Sequence, residues 1–485
     1  MGHYYALPRI DWVGVYINRT FKGFPFIAYK CETRLPNNQD RYQRIPVSLT
    51  QDLVHLIRNK PISEADLGSA AMFSLDALAS AYAGSVTATG RKLIAWAQTG
   101  DLDGKRRAFL MGALTHITET DDLHRASVTH PGCVVVPAAL SLGEKTGASA
   151  NKILRAILHG FEAICRIGAA VGPTHYKVWH NTATCGPYGS AMAAATLLDL
   201  DQEQTVHALG NAGTQSSGFW QFIETGAMSK HLHAGRACES GLLAAELATH
   251  GFTGSPQILE GEKGMFAAMC ADPIPDAILA RPDGPWQLRL TSIKPWPCCR
   301  HTHPAIDCAL ALHRELNGAK IQSIDVDTYQ AALDVCDRPE PENEYSAKFS
   351  LYHCVSFALQ YGEVGLDSFS EAAREQTSEL RGLTTLHVAD PFASRYPQSW
   401  GSGVRVTKQN GDVVAVERTD CKGDPELALD KSELRNKAIN LMQFAGLGEA
   451  ASEARCDKVL GLPTSTEKPT IFCAFTRTIG LNNCD

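Results

Sequence analysis

Three short stretches bring together side chains able to move protons or hold negative charge. In Glu119-Thr-Asp-Asp-Leu-His-Arg-Ala-Ser-Val-Thr-His-Pro-Gly132, acids and histidines crowd the junction between two apolar helices. They could act there as general acids and bases, although a polar interhelical loop has the same composition. Trp179-His180-Asn-Thr-Ala-Thr184 opens an apolar helix. A histidine beside unpaired backbone N–H groups can orient a carboxylate, and a plain capping segment would read alike. Met228-Ser-Lys230-His-Leu-His233-Ala-Gly235-Arg236 also begins a helix, with small apolar turns following. Lys230 at the edge of a buried cleft could bind a carboxylate or stabilise an enolate as it forms; on a wet helix face it would do neither.

A fourth stretch, Ser292-Ile-Lys294-Pro-Trp-Pro-Cys-Cys-Arg-His301-Thr-His303, lies where the hydrophobic pattern changes. Its prolines pin the crossing, and pinned loops between domains often line clefts, though a structural crossover needs no more than this. Zinc at Cys298, Cys299, His301 and His303 is disfavoured, because adjacent cysteines point apart and zinc ligand pairs are usually separated by two or more residues. There is no C-x-x-C, Walker A, strand-borne G-x-G-x-x-G or G-x-S-x-G sequence, and Gly210-Asn-Ala-Gly213 sits in a helical context. The expectation is therefore chemistry without a cofactor or a metal.

The elements that must position these residues fall into two groups. From Ser48 to about residue 264 the chain reads as successive helices rich in Ala, Leu and Gly, with Ser63 and Asp66 forming a capping box. The spacing predicts helices over 104–120, 133–147, 149–171, 184–199, 202–217 and 234–250, in which small residues permit close packing. After Pro285 alternation sets in at Trp286, Leu288 and Leu290, then at Ile324 and Val326, and at Leu386 and Val388, all strand signals. Asn410-Gly411 between Val404–Val406 and Val413–Val416 predicts a hairpin. Helical segments 303–316 and 345–362 make this part α+β, and 429–460 returns to helical periodicity. The division expected is a helical domain over 48–284, an α+β domain over 285–425 and helices over 426–462 that pack back on the first. Residues 1–47 and 463–485 look like an extension and a tail.

Composition narrows the partners. With 44% hydrophobic and 20% charged residues in 485, the chain can bury sizeable cores. A net charge of −7 gives no basic field for nucleic acid, and the run Lys105-Arg106-Arg107 reads as a solvated helix start. No apolar run approaches the ~20 residues of a membrane span. Residues 1–30 lack the apolar core of a secretory signal, so a cytosolic location is expected, without excluding an organellar address. The 15 cysteines are scattered and read as reduced.

At the same places the sequence resembles the MmgE/PrpD family. The carrying motifs are ETDDLHRASVTHPG (119–132), HGFEAICRIGAAVG (159–172), WHNTATCGPYGSAMAAATLL (179–198), GAMSKHLHAGRACESGLLAAELA (226–248), IKPWPCCRHTHPAID (293–307) and AKFSLYHCVSFAL (347–359), in that order. The resemblance implies a large helical domain, a smaller α+β domain, an active-site cleft between them and a homodimer. Its members include dehydratases, decarboxylases and epimerases of small carboxylic acids. Residue by residue it implies His130 and His180 as acid or base, and Lys230 and Lys294 as carboxylate-binding and charge-stabilising groups. Glu119 stands where many members have Asp, and Asp122 belongs to the same acidic cluster. Thr129, Trp179, Thr182, His233, Arg236, Arg300 and Lys348, within the same stretches, are the expected substrate contacts. His130-Pro131-Gly132-Cys133 departs from the His-Pro-Ser-Asp-Asn of methylcitrate dehydratases. Val335 and Cys336 stand where animal cis-aconitate decarboxylases carry a tyrosine. The expected reaction is proton removal beside a carboxylate of a small polycarboxylic acid, a dehydration first and an epimerisation second. An inactive paralogue that only binds is the reading from another class.

Overall fold

A computed structural model describes residues 48–481; the expectation for residues 1–47 falls outside the described residues. Ser48 accepts from the backbone of Gln51 and opens α1 (Leu49–Asn59), and Ser63 with Asp66 forms the expected capping box of α2 (Glu64–Ser85). These caps satisfy N–H groups that helices otherwise leave unpaired. There follow α3 (Ala88–Ala97), α4 (Gly104–Thr115), α5 (Gly132–Thr146), α6 (Ala150–Ala170), α7 (Asn181–Leu197), α8 (Gln202–Gly213), the single turn α9 (Phe222–Thr225) and α10 (Ser229–Thr249). The predicted helix over 104–120 stops at Thr115, and the next residues form the loop that carries the acids.

Small residues set how closely these helices approach. A Cβ on Gly235 would lie 2.7 Å from the Phe109 carbonyl oxygen, and one on Gly112 would collide with Cys238 Sγ on α10. Only glycine at both positions lets α10 lie this close to α4, which brings Lys230, in the first turn of α10, to the residues just beyond the end of α4.

The second core forms around a mixed sheet. A two-residue strand β1 (Leu123–His124) pairs with β2 (Thr291–Ser292), apart from the sheet made of β3 (Ile321–Thr328), β4 (Thr384–Val388), β5 (Ser402–Lys408) and β6 (Val413–Arg418). The order is β4-β3-β5-β6, with β3 and β4 parallel and the other neighbours antiparallel. The predicted hairpin is β5–β6, with Gly411 at φ +88° in its turn. Helices α11 (Met265–Met269), α12 (His303–Leu316), α13 (Gln330–Cys336), α14 (Glu344–Ala347) and α15 (Leu351–Tyr361) are among those that follow α10 in the chain, with the short helices Glu371–Gln376, Ser378–Gly382 and Phe392–Arg395 after them. Ile324, Val326, Val404 and Val406 from the sheet pack with Ala305, Ile306 and Ala309 from α12 and Val355 from α15.

Two expectations fail. The alternation at Trp286, Leu288 and Leu290 is not a strand: residues 287–290 form a 3₁₀ turn. Trp286 and Leu288 are buried in the helical core, the indole N–H donating to the Pro61 carbonyl, and the Gln287 N–H donates to Glu162. Burial of every second residue arises here from an irregular segment lying on helices. The stretch after residue 462 is not a loose tail either, because Ile471–Thr478 is a helix with Ile471, Phe472 and Phe475 buried. The Glu144 carboxylate accepts from the backbone of Phe472 and Cys473, and the Phe475 ring meets Tyr82 edge-on at 4.9 Å.

Helices Lys431–Phe444 and Glu449–Leu460 return to the helical core through Leu434, Ala438, Leu441 and Met442. The first also places Lys437 on Asp76 and on the Thr120 carbonyl oxygen, 2.7 Å away. Among the described residues, no helix is long and apolar enough to cross a membrane.

Candidate active site

The loop between α4 and α5 gathers most of the candidate groups. Glu119, at φ +59°, turns its side chain inward, where Lys230 donates to Oε1 and Lys294 lies 3.3 Å from Oε2. Lys294 also donates to the Glu119 carbonyl at 3.2 Å. Glu119, Lys230 and Lys294 are each 2% exposed or less. Burial alone would raise the Glu119 carboxyl, but the two ammonium groups overcome it and hold the carboxyl below the usual range. The β1–β2 pairing explains how Lys294 arrives: Leu123 opposite Ser292 fixes the Lys294 segment beside the acidic loop.

Asp121 holds a second layer. The His116 Nδ1–H donates to Asp121 Oδ2 at 2.6 Å, His130 Nδ1 lies 3.5 Å from the same oxygen, and Lys294 is 3.8 Å from Oδ1. Burial would raise this carboxyl; His116, His130 and Lys294 keep it well below the usual value. Asp122 differs, since burial and the neighbouring Asp121 push its carboxyl well above the normal range. Asp122 accepts from the Gly132 N–H at 2.9 Å, and a Cβ on Gly132 would touch that carboxylate. Gly132 in place of a larger residue thus lets Asp122 fill the N-terminus of α5.

The histidines form a cluster around His116, whose ring is 4.7 Å from that of His130, 5.6 Å from His180 and 6.4 Å from His231. The His130 Nδ1–H donates to the Asp122 carbonyl at 2.6 Å, leaving its Nε2 as the lone-pair nitrogen. His180 precedes α7 and its Nδ1 is 3.3 Å from that of His233. Burial holds both His130 and His180 well below the usual imidazole range, and His116 adds to the effect. These rings are therefore neutral at rest near pH 7. His116 Nε2 is buried without a partner. An imidazole oriented by a carboxylate with its far nitrogen free has the form of a general base.

The remaining predicted residues divide. Thr182 Oγ1 accepts from the His130 N–H at 3.0 Å and so positions that histidine. Lys348 reaches the same loop, 3.5 Å from the Thr118 carbonyl and 3.0 Å from Glu344. Trp179 stacks on Phe219 at 4.6 Å and on His175 at 6.1 Å. Thr129 bonds Ser127 at 2.6 Å and packs against Gly168 on α6, away from the lysines. Arg236 is exposed and pairs with Glu239, on the wet face of α10. Arg300 is buried on Asp424, which also takes Ser292 Oγ at 2.7 Å and lies 3.5 Å from Arg125. That network fastens the domain crossing rather than the charged pocket.

Cys298, Cys299, His301 and His303 do not converge. His301 bonds Tyr329 and stacks on Trp400, and His303 faces the Cys298 carbonyl. Among the described residues, His116, Asp121 and His130 do place one donor atom each within 4.8 Å of the others. A hydrogen bond already joins His116 to Asp121, and His130 Nδ1 is committed to the Asp122 carbonyl. His116 was missed in the sequence because the acidic motif was begun at Glu119, and Asp121 and His231, though inside the stretches 119–132 and 228–236, were given no role. Their signal is a histidine one turn before that motif, and the histidine next to Lys230.

Residues 51–277 match the MmgE/PrpD N-terminal domain, and residues 296–462 match the MmgE/PrpD C-terminal domain. The chain belongs to the MmgE/PrpD family. Glu119, Asp122, His130, His180 and Lys230 lie in the first match, Lys348 in the second and Lys294 between them. A cis-aconitate decarboxylase of Aspergillus terreus is 30% identical over 236 residues, covering 45% of this chain and 48% of that one. A cis-aconitate decarboxylase-like protein of Aspergillus oryzae is 27% identical over 389 residues, covering 74% and 80%. The human cis-aconitate decarboxylase is 27% identical over 289 residues, covering 56% and 59%. The chain thus spans about half the length of the Aspergillus terreus relative it matches.

Proposed function

We propose that this MmgE/PrpD chain is a lyase that decarboxylates a small polycarboxylate of the cis-aconitate type, using side chains alone. The observation that carries the reading is the convergence of two buried ammonium groups, Lys230 and Lys294, beside neutral buried histidines. The decarboxylase names of the relatives move decarboxylation ahead of the dehydration favoured on sequence grounds.

In the proposed step the bond to the departing carboxylate breaks. Its electron pair moves through the adjacent double bond, and the far carbon takes a proton from a histidinium while carbon dioxide leaves. Lys230 and Lys294 bind the carboxylates and stabilise the charge that develops in a water-poor site. His130 or His180 supplies the proton. Each ring is neutral in the free protein, and the charges of a bound polyanion favour its protonated form. His116, oriented by Asp121, returns a proton to the cluster.

Dehydration keeps one specific support: neutral histidines suit proton removal, the first step of eliminating a β-hydroxyl. We also propose a homodimer, which sedimentation would test. The deciding experiment is proton NMR in deuterium oxide with citrate, 2-methylcitrate, cis-aconitate, tartrate and iminodisuccinate, beside Lys230→Ala and Lys294→Ala. Loss of cis-aconitate with deuterium in the product, reduced about 100-fold or more in each variant, is expected. Turnover of 2-methylcitrate alone would establish the dehydratase, and exchange without net loss the epimerase. Silence across the panel would reject catalysis on these acids.

A further inference from the structure

Next to the charged pocket lies a compartment of different character. Tyr176, Val178, Phe219, Trp220, Ile223 and Val335 line a cleft of about 600 Å³, and its polar members, Lys177, Gln221, Glu224 and Asp334, are all exposed. Phe219 is 58% exposed and Val178 52%, an unusual cost for an aromatic and a β-branched residue on adjoining loops. Exposed apolar surface gathered in a concavity marks a binding groove more often than a scatter of surface residues does.

Trp220 separates the two compartments. One side of its ring meets His180 edge-on at 5.2 Å, while Tyr176 meets it at 5.1 Å and the ring itself lines the cleft. The wall is hooked to the α7 approach by two backbone bonds, His180 N–H to the Gly218 carbonyl and Trp220 N–H to the Val178 carbonyl, each 3.0 Å. A molecule held at His180 is thus one ring's width from an apolar space. Cavities of roughly 300 to 1,000 Å³ accommodate ligands of drug size, well beyond a six-carbon tricarboxylate, whose charges gain nothing from Phe219 or Val335.

We propose that the natural substrate is a polycarboxylate bearing an apolar chain, with its carboxylates near Lys230 and Lys294 and the chain lying over Trp220 and Phe219 in this cleft. The proposal rests on the lyase reading above and specifies its substrate class. Covering Phe219 and Val178 with methylenes removes apolar area from water on both partners, which favours longer chains until the cleft is filled.

The test compares cis-aconitate with alkyl-substituted cis-aconitates from methyl to octyl, in the unaltered protein and in Phe219→Ser and Val335→Asp, with circular dichroism as the check on folding. The expected result is kcat/KM rising up to about fourfold per added methylene before levelling off. Both substitutions should flatten that rise, so that kcat/KM for the longest chains falls toward that for cis-aconitate in the same variant. A series that is flat or falls with chain length, while cis-aconitate is consumed, overturns the proposal and spares the lyase reading. A rise that survives both substitutions overturns the placement in this cleft. Dissociation of an oligomer by Phe219→Ser, with no dependence on chain length, would assign the cleft to a second copy and also overturn it. Absence of turnover and of solvent exchange with every member would remove the lyase reading itself.

Discussion

Lys294 holds Glu119 at two points, its ammonium lying 3.2 Å from the backbone carbonyl and 3.3 Å from the carboxylate. Glu119 therefore occupies, in the free protein, a place at which an acid substrate would find its counter-charge. Removing the charge by Glu119→Gln leaves the buried Lys230 ammonium without its partner and Lys294 with only Asp121, 3.8 Å away. A loss of about 3 to 5 kcal/mol of stability is expected. Citrate should recover a large part of it, because its carboxylates replace the missing one. Thermal unfolding with and without citrate checks this; an unchanged melting temperature, or no recovery, would show that Glu119 is not the stand-in.

The pH dependence of the rate separates proton donor from proton acceptor. Burial depresses His130 and His180, so in the free protein the protonated ring is the minor form at pH 7 and becomes more populated as pH falls. A decarboxylase that uses this ring as the acid should show kcat/KM rising about tenfold per pH unit from pH 8 toward pH 6. A rate that is level over that range and drops in acid would identify the ring as a base, and with it the dehydration.

Stability should follow the opposite trend. His124 is held at about 4 and His301 at about 3, chiefly by burial, while the unfolded chain titrates near 6.5. Between those values the unfolded state binds the protons and the folded state does not. Stability is therefore lost as pH falls from about 6.5, at up to about 1.4 kcal/mol per pH unit for each such histidine. Chemical denaturation at pH 7.5, 6 and 5 measures the slope, and removing one histidine by His301→Gln should make it shallower.

The C-terminal helix is expected to matter to the helical core. Phe475 is fully buried against Tyr82, so Phe475→Ala should cost about 3 to 5 kcal/mol. Calorimetry of the variant tests whether Ile471–Thr478 belongs to the cooperative unit; an unaltered transition would mean that it does not.

Much of this architecture was legible because local pattern and tertiary role agree. The Ser63 capping box, the helical periodicity through 202–213 and the Asn410-Gly411 turn each say locally what the fold requires. Trp286, Leu288 and Leu290 misled because period-two burial does not specify a strand when the segment lies on helices instead of pairing. The site was legible in residue type, as with Lys230, His130 and His180, but not in partnership. Sequence spacing could not show that Glu119 takes up both lysines, that His116 stands at the centre of the histidines, or that Arg236 faces water. Each of those depends on the close passage of α10 over α4 and on a two-residue pairing more than 160 positions apart in the chain.

The reach of Lys437 to Asp76 and to the Thr120 carbonyl has a bearing on biosynthesis. Every lysine and histidine of the pocket has left the ribosome long before residue 437 does. Until then Asp76, buried in α2, lacks its cation, and burial favours its protonated form. The backbone between Glu119 and Asp121 likewise waits for the ammonium group that fastens it from behind. The pocket's lysines and histidines thus precede in the chain the ammonium group that fastens the acidic loop from behind, and they gain that fastening only once Lys431–Phe444 packs on α2.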